Sequence, residues 1–385
     1  MPLLRNARLV LPDAVVDNGR LGVDGEWITA IGADDDGDAV PHAETLDLAG
    51  HWVVPGFVDM HVHGGGGASY TGGQPDQAHR AFEFHRTHGT TTSIASTVAT
   101  AVDELERVVC GLSELVEDGL LTGIHLEGPF ISAARCGAHD PALLRTPEAG
   151  VLRRLLDQGR GAIRMVTVAP ELDGGVRAVR QLVDAGVIAA LGHTDASYEQ
   201  ARAAIDAGVT VATHLFNAMR GLHHRDPGPV VAALESDEVT VELINDGLHL
   251  HDAVARMVFR AAGPHRVALI TDSLSTTGAG DGDYRLGPLA VRVVDGVARL
   301  VDSDTIAGST LTMDAALRRA VTVGGIPIEQ ACRAASTTPA KVLGLGHLVG
   351  SLAVGKRADL VVLDADLRVA AVMVAGHWVS RPRWL

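Results

Sequence analysis

The chain has 385 residues, enough for a large core and for more than one domain. With 46% hydrophobic but only 3% aromatic residues, that core would be built from Ala, Val, Leu and Ile, and no apolar run reaches the ~18 residues of a membrane span. A formal net charge of −15 argues against nucleic acid as a partner, and binding of an anionic substrate would need a local basic site.

The N-terminus, MPLLRNARLV, is too short and polar for a signal peptide. Cys110, Cys136 and Cys332 are odd in number and scattered, which predicts free thiols and a reducing, cytoplasmic location. Residues 1–50 carry short alternating strands with turn signals, as in ARLVLPDAVVDNGRLGVDGEWITAIG.

From residue 52 to about 273 one rhythm repeats: a β-rich apolar run, a polar loop, then an amphipathic stretch closed by Gly. The runs are WVVPGFVDMHVH, TTSIASTVA, GIHLEGP, AIRMVTVAP, VIAALGHTD, VTVATHLFN, VTVELINDG and VALITDS. Apolar runs without alternation suit parallel strands covered on both faces. Eight such units predict a (β/α)8 TIM-like barrel.

After the eighth run, AVRVVDGVARLV reads as a hairpin turning at Asp295-Gly296, near the barrel mouth. TMDAALRRAVTVGG and PIEQACRAASTTPAKVLG then supply helices for the outer ring. Residues 350–385 return to short strands, and AGHWV occurs at both 49–53 and 375–379. Segments 1–52 and 347–385 are therefore expected to share a small β-sandwich domain, with 53–346 as the barrel.

Such barrels carry their sites at the C-terminal ends of the strands. Those ends hold His61 and His63, then His125-Leu126-Glu127, then His193, His214 and Asp272. Residues two apart on a strand share a face, so His61 and His63 point the same way. A lone strand-end His is usually a hydrogen-bonded structural residue. Several His, Glu and Asp residues converging on one mouth are instead typical ligands for Zn²⁺ or a similar divalent ion.

This pattern resembles the amidohydrolase superfamily across essentially the whole chain. More narrowly, HLEGPF, the loop Gly137-Ala138-His139, LGHTDA, THLFNAM, NDGLHL and ITDSLS resemble the N-acetylglucosamine-6-phosphate deacetylase family. Many two-metal relatives bridge their ions with a carboxylated lysine. Only Lys341 and Lys356 occur here, neither on a barrel strand, so Glu127 is the available bridge. The resemblance implies two divalent ions, zinc or alternatively iron or another metal. One would be held by His61, His63 and Glu127, the other by Glu127, His193 and His214. Four glycines after His63 would let the backbone pass close to metals and substrate.

The resemblance further implies hydrolysis of the N-acetyl amide of a 6-phosphorylated amino sugar. Asp272 would be the general base, and His139 would donate a hydrogen bond to the reacting carbonyl. Ala138, Asn217 and Ala218 would hold the sugar. Arg225 and His249 would hold the phosphate, with Arg225 able to act across a homodimer. Two other readings stay open: a deaminase or peptidase-like amidohydrolase needing no phosphate site, and a metal-free scaffold. Scaffolds usually lose ligands, and none of these is missing.

Overall fold

The computed structural model describes residues 2–34 and 44–381. The chain forms two compact units, one of residues 1–59, 85–92 and 312–385, the other of residues 60–84 and 93–311.

In the first unit an eight-stranded sheet takes strands from both ends of the chain. His377–Ser380, Val369–Val374, Leu360–Leu363, Trp52–Pro55, Pro2–Val10, Val15–Asp24 and Trp27–Ala33 are neighbours in that order, and Glu44–Asp47 also pairs with Pro2–Val10. Leu4, Leu9, Leu21, Val53, Leu360, Val362 and Met373 form its buried core. The AGHWV echo has a conformational meaning. Ala49 and Gly50 take φ of 49° and 77°, and Ala375 and Gly376 take 48° and 76°. The pentapeptide thus writes the same left-handed two-residue turn twice, each time leading into a strand. At Gly376 a side chain is excluded outright, since a Cβ would lie 1.9 Å from the Gly25 carbonyl oxygen.

In the second unit seven strands form one parallel sheet in simple chain order: Ala95–Thr97, Ile124–Glu127, Ile163–Val168, Ile188–Leu191, Val209–Ala212, Thr240–Ile244 and Val267–Ile270. The first six are each followed by a helix, among them Val102–Glu117, Gly175–Asp184, Tyr198–Asp206 and Asp252–Ala262, whereas Val267–Ile270 leads into antiparallel strands before the next helix. The predicted glycines end several of these helices, with Gly119 and Gly186 at φ of 78° and 70°. Thr240–Ile244 is buried along its whole length, which is why its sequence does not alternate.

The first expected run departs from the reading as one strand. WVVPGFVDMHVH splits at Pro55-Gly56: Trp52–Pro55 joins the eight-stranded sheet, and Phe57–Asp59 pairs separately with Thr90–Ser93. Position 56 has no room for a side chain, since a Cβ there would lie 2.3 Å from Thr91 Oγ1. The following segment is bonded on two sides. Ser96 N–H donates to the Val62 carbonyl (2.9 Å), while Asp272 N–H donates to His61 (2.8 Å) and His63 N–H to Ser273 (2.9 Å). Residues 61–63 therefore bridge from the first strand of the parallel sheet to the end of its last.

Gly282–Leu286, Leu289–Val294 and Val297–Leu300 form an antiparallel sheet. Its hairpin turns at Asp295-Gly296, with φ of 51° and 74°, as a type I′ turn demands. Met313–Thr322 is helical as expected. The next predicted helix is broken into Ile328–Cys332 and Thr338–Val342 by a π-turn, Arg333–Thr337, ahead of Pro339, which has no N–H to donate. Among the described residues no helix is long and apolar enough to cross a membrane. All three cysteines are free.

Candidate metal centre

The buried site repeats one local device. His61, His193, His214 and Asp272 each stand two residues beyond the last residue of a strand, while Glu127 is itself the last residue of Ile124–Glu127. His193, His214 and Asp272 adopt φ of 46°, 25° and 49°. A left-handed non-glycine residue costs on the order of 1–3 kcal/mol, and such strain clusters at functional sites. Here it turns each side chain inward just as the strand stops.

Glu127 is the hub. Its Oε1 lies 2.9 Å from His214 Nε2, 3.1 Å from His193 Nε2 and 3.3 Å from His61 Nε2. Its Oε2 lies 3.1 Å from His63 Nε2. Asp272 Oδ1 is 3.1 Å from His63 Nε2 and 3.5 Å from His61 Nε2. His193 and His214 meet through their Nε2 atoms at 3.1 Å. All these side chains are buried.

The remaining ring nitrogens set the tautomers. His61 Nδ1–H donates to Glu242 Oε2 (3.1 Å), and His193 Nδ1–H donates to the Arg135 carbonyl (2.9 Å). In their neutral forms both rings thus present an Nε2 lone pair to the centre, the usual arrangement behind a metal-bound His. His139 is the opposite case. Its Nδ1 accepts the Ala99 N–H (3.2 Å), so its proton sits on Nε2, which points at Glu127 Oε2 (3.5 Å). His139, Glu127 and His193 lie close enough together to suggest a ligand group. An Nε2 carrying hydrogen cannot ligate, however, and His139 is therefore a donor.

Burial opposes an imidazolium at His63, but bonds to Asp272 and Glu127 outweigh it and raise the ring to about 9. At His61 burial is likewise overcome, by the Glu127, Asp272 and Glu242 charges, and the ring titrates well above its usual range. Burial opposes the charged form of Glu127 too, yet the surrounding imidazoles hold it well below a normal carboxylate. Burial dominates at His139 and pushes it down, so it stays neutral.

The donor set fits a divalent metal. Donors bound to one ion at ~2.0–2.2 Å in a tetrahedron lie ~3.3–3.6 Å apart. The observed separations of 2.9–3.5 Å are close to this before any ion draws the atoms together.

The centre opens into a cavity of about 470 Å³ lined by His63, Glu127, His139, His193, His214 and Asp272 on its floor. Cys136, Ala138, Asn217, Ala218, His249, Leu286 and Ile306 line its walls. His249 Nδ1–H donates to Asp246 Oδ2 (2.6 Å); burial opposes its charge, but this bond raises its pKa. Arg225 is not brought to this cavity. It is exposed, with Nη1 2.8 Å from His224 Nε2.

Two residues were not foreseen. Arg135 lines the cavity, pairs with Asp195 (2.7 Å) and orients His193 through its carbonyl; only its nearness to the Gly137–His139 loop hinted at this. Glu242 bonds His61 and the backbone of His214. Its signal was present, since a lone acid inside the apolar run VTVELI needs a partner. His125, beside Glu127 in the sequence, is held by Ser96 Oγ (3.0 Å) and Thr167 Oγ1 (2.8 Å) and takes no part in the donor set.

Strand-end imidazoles around a shared carboxylate, with a strand-end Asp at a cavity floor, define a hydrolase centre of the amidohydrolase kind. A profile of the amidohydrolase family matches residues 52–379, and the chain belongs to that family. The family is metal-dependent, and the His, Glu and Asp groups here could hold a metal ion.

The comparisons narrow this further. The chain is 36% identical to the N-acetylglucosamine-6-phosphate deacetylase of Vibrio furnissii over 346 residues, covering 89% of this chain and 86% of that protein. It is 34% identical to the N-acetylgalactosamine-6-phosphate deacetylase of Escherichia coli O157:H7, covering 98% and 99%. Among solved structures it is similar to a mutant N-acetyl-D-glucosamine-6-phosphate deacetylase from Mycobacterium smegmatis in complex with N-acetyl-D-glucosamine-6-phosphate. That match has 50% identity, a TM-score of 0.94 and 98% coverage of both chains.

Proposed function

We propose that this chain hydrolyses the N-acetyl amide of N-acetylglucosamine 6-phosphate, giving acetate and glucosamine 6-phosphate in amino-sugar breakdown or cell-wall recycling. The observation that carries this reading is the convergence of His61, His63, His193 and His214 on Glu127, with Asp272 beside them on the cavity floor. The similarity to deacetylases over nearly the whole chain supports it. Intact donors argue against a metal-free scaffold.

Two divalent ions, zinc first among candidates, would be held by His61, His63 and Glu127, and by Glu127, His193 and His214. Bound there, they supply Lewis acidity that acidifies a water molecule and polarises the amide carbonyl. Asp272 stays ionised: burial opposes its charge, but His61 and His63 lower its pKa. It would take the proton of the attacking water and return it to the departing amine. His139 Nε2–H would donate to the carbonyl oxygen as negative charge develops there. Ala138, Asn217 and Ala218 would hold the sugar, and His249, fixed by Asp246, would donate to the phosphate.

Arg225 would reach a phosphate from a second copy of the chain, making the active form a homodimer. The same reading takes segments 1–52 and 347–385 as a small β-sandwich domain, residues 53–346 as a closed (β/α)8 barrel, and the cytoplasm as the location.

The deciding experiment measures acetate release from N-acetylglucosamine with and without 6-phosphate, and from N-acetylgalactosamine 6-phosphate. Strong preference for the phosphorylated gluco sugar is expected. Preference for the galacto epimer would shift the substrate, and indifference to phosphate would sink the phosphate site. Arg225→Ala should lower kcat/KM on the phosphorylated sugar about ten- to a hundredfold, as for a lost charged hydrogen bond. It should leave the unphosphorylated sugar almost untouched; equal losses would make Arg225 structural.

A further inference from the structure

We infer that Glu242 is a positioning residue that creates the His61–His63 ion position and ties it to the neighbouring one. The inference rests on the two-ion reading above. Glu242 sits in the middle of Thr240–Ile244, fully buried among apolar neighbours, and does not line the cavity. It therefore cannot meet substrate. One oxygen, Oε2, accepts two hydrogen bonds, from His61 Nδ1 (3.1 Å) and from the backbone N–H of His214 (3.1 Å). The other, Oε1, has no hydrogen-bond partner among the described residues.

A carboxylate in such a place is costly for folding, since burying a charge with half its acceptors unused is unfavourable. What it supplies is specific to metal binding. A carboxylate on Nδ1 fixes the His61 tautomer and makes Nε2 a stronger donor. It also supplies charge. Glu127 and Asp272 already balance one divalent ion, whereas two ions bring four positive charges. Glu242 places a third negative charge one imidazole away. Through the His214 N–H the same oxygen holds the backbone of a ligand at the other position, so one carboxylate sets the spacing of both.

The test is titration of metal-free protein with Zn²⁺ alone against a chromophoric chelator. The wild type is expected to take two zinc ions. Glu242→Gln keeps size and an acceptor oxygen but removes the charge. It should weaken one of the two zinc ions about 10–100-fold, the cost typical of losing a partner behind a ligand, and leave the other within about threefold. In a His63→Asn background one zinc should bind, and adding Glu242→Gln should change its affinity less than about threefold. Glu242→Leu, provided circular dichroism shows it folded, should retain a single zinc. Unchanged affinity for both ions in Glu242→Gln, or equal weakening of both, overturns the inference while leaving the two-ion reading intact. A single zinc in the wild type overturns the two-ion reading itself, and this inference with it.

Discussion

His139 keeps its proton on Nε2 because a backbone N–H occupies Nδ1. A glutamine amide can reach the place of Nε2–H, whereas an asparagine amide cannot. His139→Gln should therefore retain more turnover than His139→Asn. Asn should lower kcat on the order of 10²–10³-fold, the cost of a lost oxyanion donor. Equal loss in both would reduce His139 to a structural residue. Asp272→Asn should still bind zinc and substrate yet lose several orders of magnitude in kcat, because an amide accepts no proton. Near-normal turnover would remove Asp272 as the base. The charges at His63 give a pH prediction. In metal-free protein its pKa is raised to about 9, so it is protonated at neutral pH and must lose that proton to bind zinc. Zinc affinity should rise by about tenfold or more per pH unit up to roughly pH 9. The raised pKa stabilises the metal-free fold below about pH 6.5, and that contribution is lost as pH rises through about 9. Melting temperature of the metal-free protein and zinc affinity should therefore move in opposite directions with pH. Parallel movement would contradict the assignment.

At the scale of elements, the chain supports the site by ending its strands and helices deliberately. Helix Gly228–Glu235 ends against Arg266, whose guanidinium donates to the carbonyls of Ala233, Leu234, Ser236 and Val239 at 2.8–3.4 Å. Carbonyls left over at a helix end need such partners, and a cation there also meets the negative end of the helix dipole. Arg266 immediately precedes strand Val267–Ile270, which delivers Asp272. Arg266→Ala should cost about 1.5–3 kcal/mol in urea unfolding, the range for hydrogen bonds to a charged group, with KM little changed. A stability change under about 0.5 kcal/mol would mean that water replaces the guanidinium. Boundaries were the least legible part of these elements. WVVPGFVDMHVH reads as one strand because its apolar run is unbroken. It splits because its halves take different partners, Trp52–Pro55 pairing with Leu360–Leu363 and Phe57–Asp59 with Thr90–Ser93, and periodicity cannot report such distant pairings. The Asp295-Gly296 hairpin was legible, because a type I′ turn is written in its own two residues.

At the scale of the whole molecule, the eight-stranded sheet needs both ends of the chain. Leu360–Leu363 is buried throughout and pairs antiparallel with Trp52–Pro55, joining residues about 300 apart. Deleting residues 360–385 should remove a share of that core and leave the protein insoluble or unfolded by circular dichroism, not merely less active. A folded, active truncation would show the pairing to be dispensable. Removing metal should lower the melting temperature as well, because ions binding only the folded state stabilise it by mass action. The sequence by itself determined what is local. It set the βα rhythm, the glycine-ended helices, the two-apart histidines and the positions of Glu127, His193, His214 and Asp272 at strand ends. Periodicity and turn chemistry act over a few residues, so they can be read from a few residues. Only the tertiary structure decided what depends on distance in the chain. The Glu242 bond to His61 spans 181 residues, and the Ala99 bond that sets the His139 tautomer spans 40. Such bonds depend on which strands become neighbours and in what register, and that is settled only when the buried faces pack.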